Sequence, residues 1–291
     1  MGFHRIADPA ERDRAYASDL ADLVRDSELD RCALLAFDQS YDGDGRGDRE
    51  GTYMHIPNDY VRDVAREHPG EFLYGASVNP LRRDSLDELQ RVSEDGAVVN
   101  KLLPNSQGFD PADPALRPYW RKSAEVGLPV LVHCGFEHTI PAVDQALGDP
   151  RRLVPALEEG ATIVVAHGGT SGLFHLKETF GDTLELLARY PNMWADNSAM
   201  ANAWRSRYLF QLLDPDLLER RYGVILERPF DRFVHGSDYP VPITPWAFIG
   251  KIDGKVRREA ARLTNPLQRD IALKRAAGVP EECLARGAKV L

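Results

Sequence analysis

Seven short apolar runs recur along the chain, each followed by a longer stretch of helical periodicity, and this alternation restricts the fold to a parallel sheet covered by helices. The runs are Arg31 to Phe37, Glu71 to Val78, Ala97 to Leu103, Leu128 to His133, Ala161 to His167, Asn192 to Asp196 and Asp231 to Gly236. None shows the strict polar alternation of a strand with one wet face, so both faces are expected to be covered, as in parallel sheets. Start and stop signals frame the helices between them. Pro57 opens Asn58 to His68 ahead of Pro69, Asp84 caps Ser85 to Glu94 ahead of Gly96, and Asp113-Pro114 opens Ala115 to Val126 ahead of Gly127. The tail from Thr264 to Leu291 reads as helices separated by Gly278-Val279-Pro280.

Units of about 30 residues fit a doubly wound open sheet or a (β/α)8 TIM barrel. No G-x-G-x-x-G follows the first run and no G-x-x-x-x-G-K-[ST] occurs, which removes the support for a nucleotide-binding open sheet and favours the barrel. One domain spanning 1–291 is expected, since nothing resembles a linker. A barrel needs eight strands and seven are legible, so the missing one is expected before Met1. The Gly-rich loop Asp38 to Met54 reads equally as a mobile lid and as an exposed insertion.

Charge then limits the partners. Among 291 residues, 45 acidic side chains face 36 basic ones, a net charge of -9. Such a surface repels phosphate backbones and anionic lipid, and its arginine pairs lie beside carboxylates, so a small-molecule substrate is expected rather than nucleic acid or membrane. No apolar stretch approaches a spanning helix and no signal core opens the chain, so a cytoplasmic location is expected. Cys32, Cys134 and Cys283 are odd in number and far apart, as free thiols are. A homodimer is compatible with these features.

In a barrel the informative positions are the C-terminal ends of the strands. Here they are Asp38, Asn79-Pro80, Lys101, His133, His167, Asp196-Asn197 and Asp238. Alternation puts Leu131 on the inward face with His133, and Val165 with His167, so both imidazoles and Asp238 are expected to converge on one mouth. Imidazole nitrogen and carboxylate oxygen are the donors of a catalytic zinc or similar divalent ion, and such a carboxylate also moves protons. His235 stands at odd spacing from Asp238 and is read as structural. His138 and His55 are read as loop histidines, His68 and His175 as helix residues, and Cys134 as a small hydrophobe facing the helix layer.

Leu128 to Gly135, Ile163 to Gly169 and Phe233 to Pro240, with Asn100-Lys101-Leu102 and Gln107-Gly108-Phe109, resemble the amidohydrolase-related branch of the amidohydrolase superfamily. The likeness runs from about the second strand to the helix that begins near Asn265. It implies a metal-dependent hydrolase or nonoxidative decarboxylase acting on a small carboxylated substrate. By that resemblance His133 is a metal ligand, His167 a ligand or acid/base group, and Asp238 a ligand that also moves protons. Lys101 would bind a substrate carboxylate as an ammonium or, as in other branches, be carbamylated to bridge two metals.

The chain departs from the family at its first strand, which there ends in His-x-His. Only His4 stands near the start here. The expectation is either a chain that begins downstream of its natural start or a paralogue that has lost the strand and the metal. Two further functional readings follow. One is a metal-independent lactonase of the same superfamily, with Lys101, His133, His167 and Asp238 polarising the lactone and activating water. The other is a catalytically inactive, truncated paralogue that acts as a binding protein.

Overall fold

The computed structural model describes residues 8–172 and 178–291. All seven apolar runs form strands: β1 (Cys32–Leu35), β2 (Phe72–Ala76), β3 (Val99–Leu102), β4 (Val130–Val132), β5 (Ile163–Val165), β6 (Met193–Asp196) and β7 (Phe233–Val234). Each pairs in parallel with the next in chain order. A doubly wound sheet reverses its strand order at a switch point. This order runs one way only, as in a barrel, with helices between successive strands. Among the described residues there is no eighth strand and no β7–β1 pairing, so the closed (β/α)8 ring is replaced by a seven-stranded open one.

Register separates the two faces of the sheet. Leu102, Val132, Val165, Ala195 and Phe233 share one row, and all are buried in the core cluster between sheet and helices. Lys101, Leu131, Val164 and Trp194 share the neighbouring row, which therefore faces the barrel interior. Lys101, Leu131 and Trp194 there keep partial solvent access. Arg232 lies over the Trp194 ring at 5.0 Å and donates to the carbonyls of Tyr190, Pro191 and Met193.

The expected helices form at Asn58–Glu67 and Ser85–Glu94, and the third as a 3-10 turn, Pro114–Leu116, leading into Arg117–Glu125. A further helix, Pro9–Arg25, is capped by Asp8, whose side chain accepts from Ala10 N. It packs near the helix Pro266–Ala277: Asn265 donates to Leu23 O at 2.7 Å, and Gln268 Oε1 accepts from Glu28 N at 2.8 Å. No helix among the described residues is long and apolar enough to cross a membrane.

Packing is tight where β1 meets β2. A Cβ on Gly75 would lie 2.6 Å from Leu34 O and 2.8 Å from Leu35 Cδ2. The Gly75→Ala variant is expected to lose about 1–3 kcal/mol of stability, read as a lower urea midpoint. An unchanged midpoint would show that β1 shifts freely at this edge.

Candidate active site

Of the polar strand ends, Lys101, His133, His167, Asp196 and Asp238 come within one another's electrostatic reach, although His167 arrives differently from expectation. His133 follows β4, with its N–H bonded to Leu102 O at 2.9 Å, and continues the inward row of Leu131. Val165 does not share that row, because Leu131 pairs with Val164 and Val132 with Val165. Alternation alone would therefore turn His167 toward the helices. The backbone redirects it: His167 has φ 40° and ψ 34°, and Gly168 and Gly169 follow with positive φ. Such geometry is costly for a residue with a Cβ. Asp196 holds the turn, with Oδ1 accepting from His167 N at 2.6 Å and Ser198 N at 2.9 Å.

This turn brings His167 Nε2 to 3.0 Å from His133 Nδ1. Burial pushes both imidazoles below their usual range, although Glu137 works the other way on His133. Two neutral rings in contact need one donor and one acceptor, so they share a single proton between the facing nitrogens. Among the described residues, neither His133 Nε2 nor His167 Nδ1 has a hydrogen-bond partner. Glu137 Oε2 lies 3.5 Å from His133 Nε2, an ion-pair distance rather than a hydrogen bond. Burial would raise the Glu137 carboxyl, but the charge His133 carries when protonated and the backbone N–H groups of Thr139 and Ile140 bring it below its ordinary value.

Asp238 stands beyond β7 with φ 57°. It keeps solvent contact in the mouth, yet the surrounding protein raises its carboxyl; Lys101 and Arg205 act against that rise, Asp196 and Glu137 with it. Burial lowers Lys101 in turn, against the fields of Asp238, Asp196 and Glu137. Arg205, in the loop after β6, feels Asp238, Glu137 and Asp196 and reaches Thr170 O at 3.4 Å. The mouth thus gathers one amine, one guanidinium, two imidazoles and three carboxyl groups. Glu137 and Arg205 were absent from the sequence expectation. Glu137 had a signal, four residues after His133 in the same loop; Arg205 had none beyond being one arginine among many.

His133 and His167 come together, and Asp238 lies within the fields of Lys101, Asp196, Arg205 and Glu137. Among the described residues no three His, Cys, Asp or Glu side chains assemble into a group able to hold a metal ion. Two imidazoles are an incomplete donor set for a catalytic divalent ion, so these residues alone do not fit one.

The other singled-out residues lie elsewhere. The His235 side chain is largely covered, with Nε2 3.8 Å from Asp270 Oδ2. Cys134 is buried in the helix-facing core, where desolvation raises its thiol. His68 caps the helix Asn58–Glu67, and His138 stacks on Phe136 at 5.1 Å. His55 lines a cavity of about 410 Å³ with Asp38, Arg82 and Glu88. His4 and His175 lie outside the described residues.

A one-directional parallel sheet with ionisable groups gathered at its strand ends defines a barrel-type α/β protein. The chain belongs to the amidohydrolase family, whose sequence profile matches residues 3–274. A candidate amidohydrolase of Staphylococcus aureus is similar in fold, with a TM-score of 0.53 at 12% identity over 98% of this chain and 92% of that one. The 2,6-dihydroxybenzoate decarboxylase of Rhizobium gives 0.49 at 15% identity, over 94% and 89%. A 5-carboxyvanillate decarboxylase of Novosphingobium aromaticivorans, solved with manganese, gives 0.45 at 15% identity, over 88% and 76%. No curated protein matches the chain in sequence.

Proposed function

We propose that the chain is an enzyme acting on a small carboxylated substrate, and that it opens an ester or lactone bond with water. The observation behind this reading is the buried His133–His167 pair, 3.0 Å apart, in a mouth that also holds Lys101, Arg205 and Asp238. Lys101 and Arg205 draw in the substrate carboxylate, which compensates their burial. His167 takes a proton from the attacking water, and the charge that develops on the pair is opposed by Glu137 beside His133. Asp238, whose carboxyl the surrounding protein raises while the residue stays exposed, returns a proton to the departing alkoxide.

A second reading has its own support. His133 Nδ1 and His167 Nε2 face one another as two ligands of one divalent ion would, with Asp238 as the third, zinc or manganese as the ion, and hydrolysis or decarboxylation as the reaction. An ion there would polarise the carbonyl and lower the pKa of bound water. No step is assigned to it, because the described residues leave the donor set incomplete.

A panel of carboxylated and uncharged lactones, with CO2 release followed in parallel and bound metal measured on the purified protein, separates the readings. Lactone hydrolysis that survives chelation is expected. The Arg205→Ala variant should raise KM for the carboxylated members about 10- to 100-fold, the range for a hydrogen bond to a charged group. Activity that disappears on chelation and returns with zinc or manganese selects the second reading. Binding without turnover across the panel selects the binding protein.

A further inference from the structure

Lys274 is fully buried and Lys101 half-buried, and among the described residues only Lys274 has hydrogen-bond partners. Lys274 Nζ donates to Asp270 Oδ2 at 2.6 Å and Gly236 O at 2.8 Å. Lys101 Nζ makes no hydrogen bond or ion pair among the described residues, although Asp238, Asp196 and Glu137 lie close enough to act on it. Its backbone is firmly held. Ser77 Oγ donates to Lys101 O at 2.7 Å, and Asn100, the preceding residue, donates to Tyr119 Oη and accepts from Val78 N. The side chain projects from β3 on the interior row, beside Leu131, and keeps partial solvent access. An unpaired amine, desolvated yet reachable and fixed at its root, is the arrangement that activates a lysine as a nucleophile.

We propose that Lys101 condenses with the ketone of a small 3-oxo acid drawn into the mouth by Arg205, and that the resulting imine is the electron sink for loss of CO2. This rests on the reading that a substrate carboxylate is held here, and adds a covalent chemistry to it. The amine attacks the ketone carbon, and water leaves with the ketone oxygen to give a protonated imine. The bond between C2 and the carboxylate breaks, CO2 departs, and the electron pair forms an enamine. Asp238 protonates C2, and water then hydrolyses the imine, releasing the ketone and restoring the amine. The sum consumes one 3-oxo acid anion and one proton and yields one ketone and one CO2, with no oxidant, reductant or metal.

Sodium borohydride added during incubation with acetoacetate tests the step, with the modified peptide mapped by mass spectrometry. A reduced adduct confined to the peptide that carries Lys101, formed together with CO2 and absent from Lys101→Arg, is expected. That variant keeps a basic side chain but removes the nucleophilic amine, and an unchanged urea midpoint checks its folding. Ethyl acetoacetate is the second probe. If it is trapped on Lys101 as readily as acetoacetate, the nucleophile stands and the carboxylate reading falls. No adduct at Lys101, or adducts spread equally over the lysines, overturns the proposal. Protection of the mouth by acetoacetate without trapping overturns it too, but leaves the carboxylate reading intact.

Discussion

Replacing His167 by asparagine is expected to lower kcat/KM about 10²- to 10⁴-fold on the preferred lactone, the range contributed by a positioned acid or base. Asparagine is chosen for the backbone. His167 has φ 40°, and Asn enters the left-handed region several-fold more readily than most residues, so the turn that Asp196 holds should persist. The variant removes the Nε2 partner of His133 Nδ1 without a large change at the fold's core. The Asp238→Asn variant is expected to fall by a similar factor for the same reason, since Asp238 sits at φ 57° and the amide can neither hold nor return a proton. The double variant should lose far less than the product of the two single losses if the groups act on one proton path. Urea midpoints for all three, compared with the parent, separate chemistry from folding. Retention of activity within about tenfold in both single variants would remove these residues from proton transfer.

The fold was legible because its strongest signals are local. Apolar runs, Asp and Pro starts and Gly stops decide where each strand and helix lies, and β1 to β7 all fall inside the runs read from sequence. The helix Pro9–Arg25 also had a signal, Asp8-Pro9 with Glu11 in its first turn and Ala17, Ala21 and Val24 on its buried face. Its apolar side is small, so its periodicity was weak and it passed unread. Ring closure depends on pairing between distant strands, which no single run encodes. The site divides along the same line. His133 was legible because a regular strand carries it inward. The inward turn of His167 was not, because the period-2 rule ends with β5 and the left-handed turn after it rests on Asp196, 29 residues away. Arg205 is a residue of the same kind, brought to the mouth by tertiary structure alone.

The Lys274→Met variant is expected to destabilise the protein by about 3–5 kcal/mol at pH 8, the range for breaking one side of a buried ion pair. Lys274 and Asp270 are both fully buried, and the lysine also holds Gly236 O, two residues before Asp238 in sequence. Burial raises Asp270 to about 6 even with Lys274 opposing the rise. A carboxyl whose folded pKa lies above its unfolded value binds its proton more tightly when folded, so folding gains as pH falls through that folded value toward the unfolded one. Without Lys274 the carboxyl rises further, and the deficit should therefore be largest at pH 8 and shrink steadily toward pH 5. Protonated Asp270 also has a neighbour to serve: His235, whose ring nitrogens have no hydrogen-bond partner among the described residues and whose Nε2 is 3.8 Å away. Pairing Lys274→Met with Asp270→Leu removes the stranded charge and should recover most of the loss. What remains, about 1–3 kcal/mol, is the cost of leaving the Gly236 carbonyl without its donor. Urea unfolding at pH 8 and pH 5 reads all three terms. A single-variant deficit below about 1 kcal/mol that does not change with pH would show that water reaches Asp270 and that the pair contributes little to the fold.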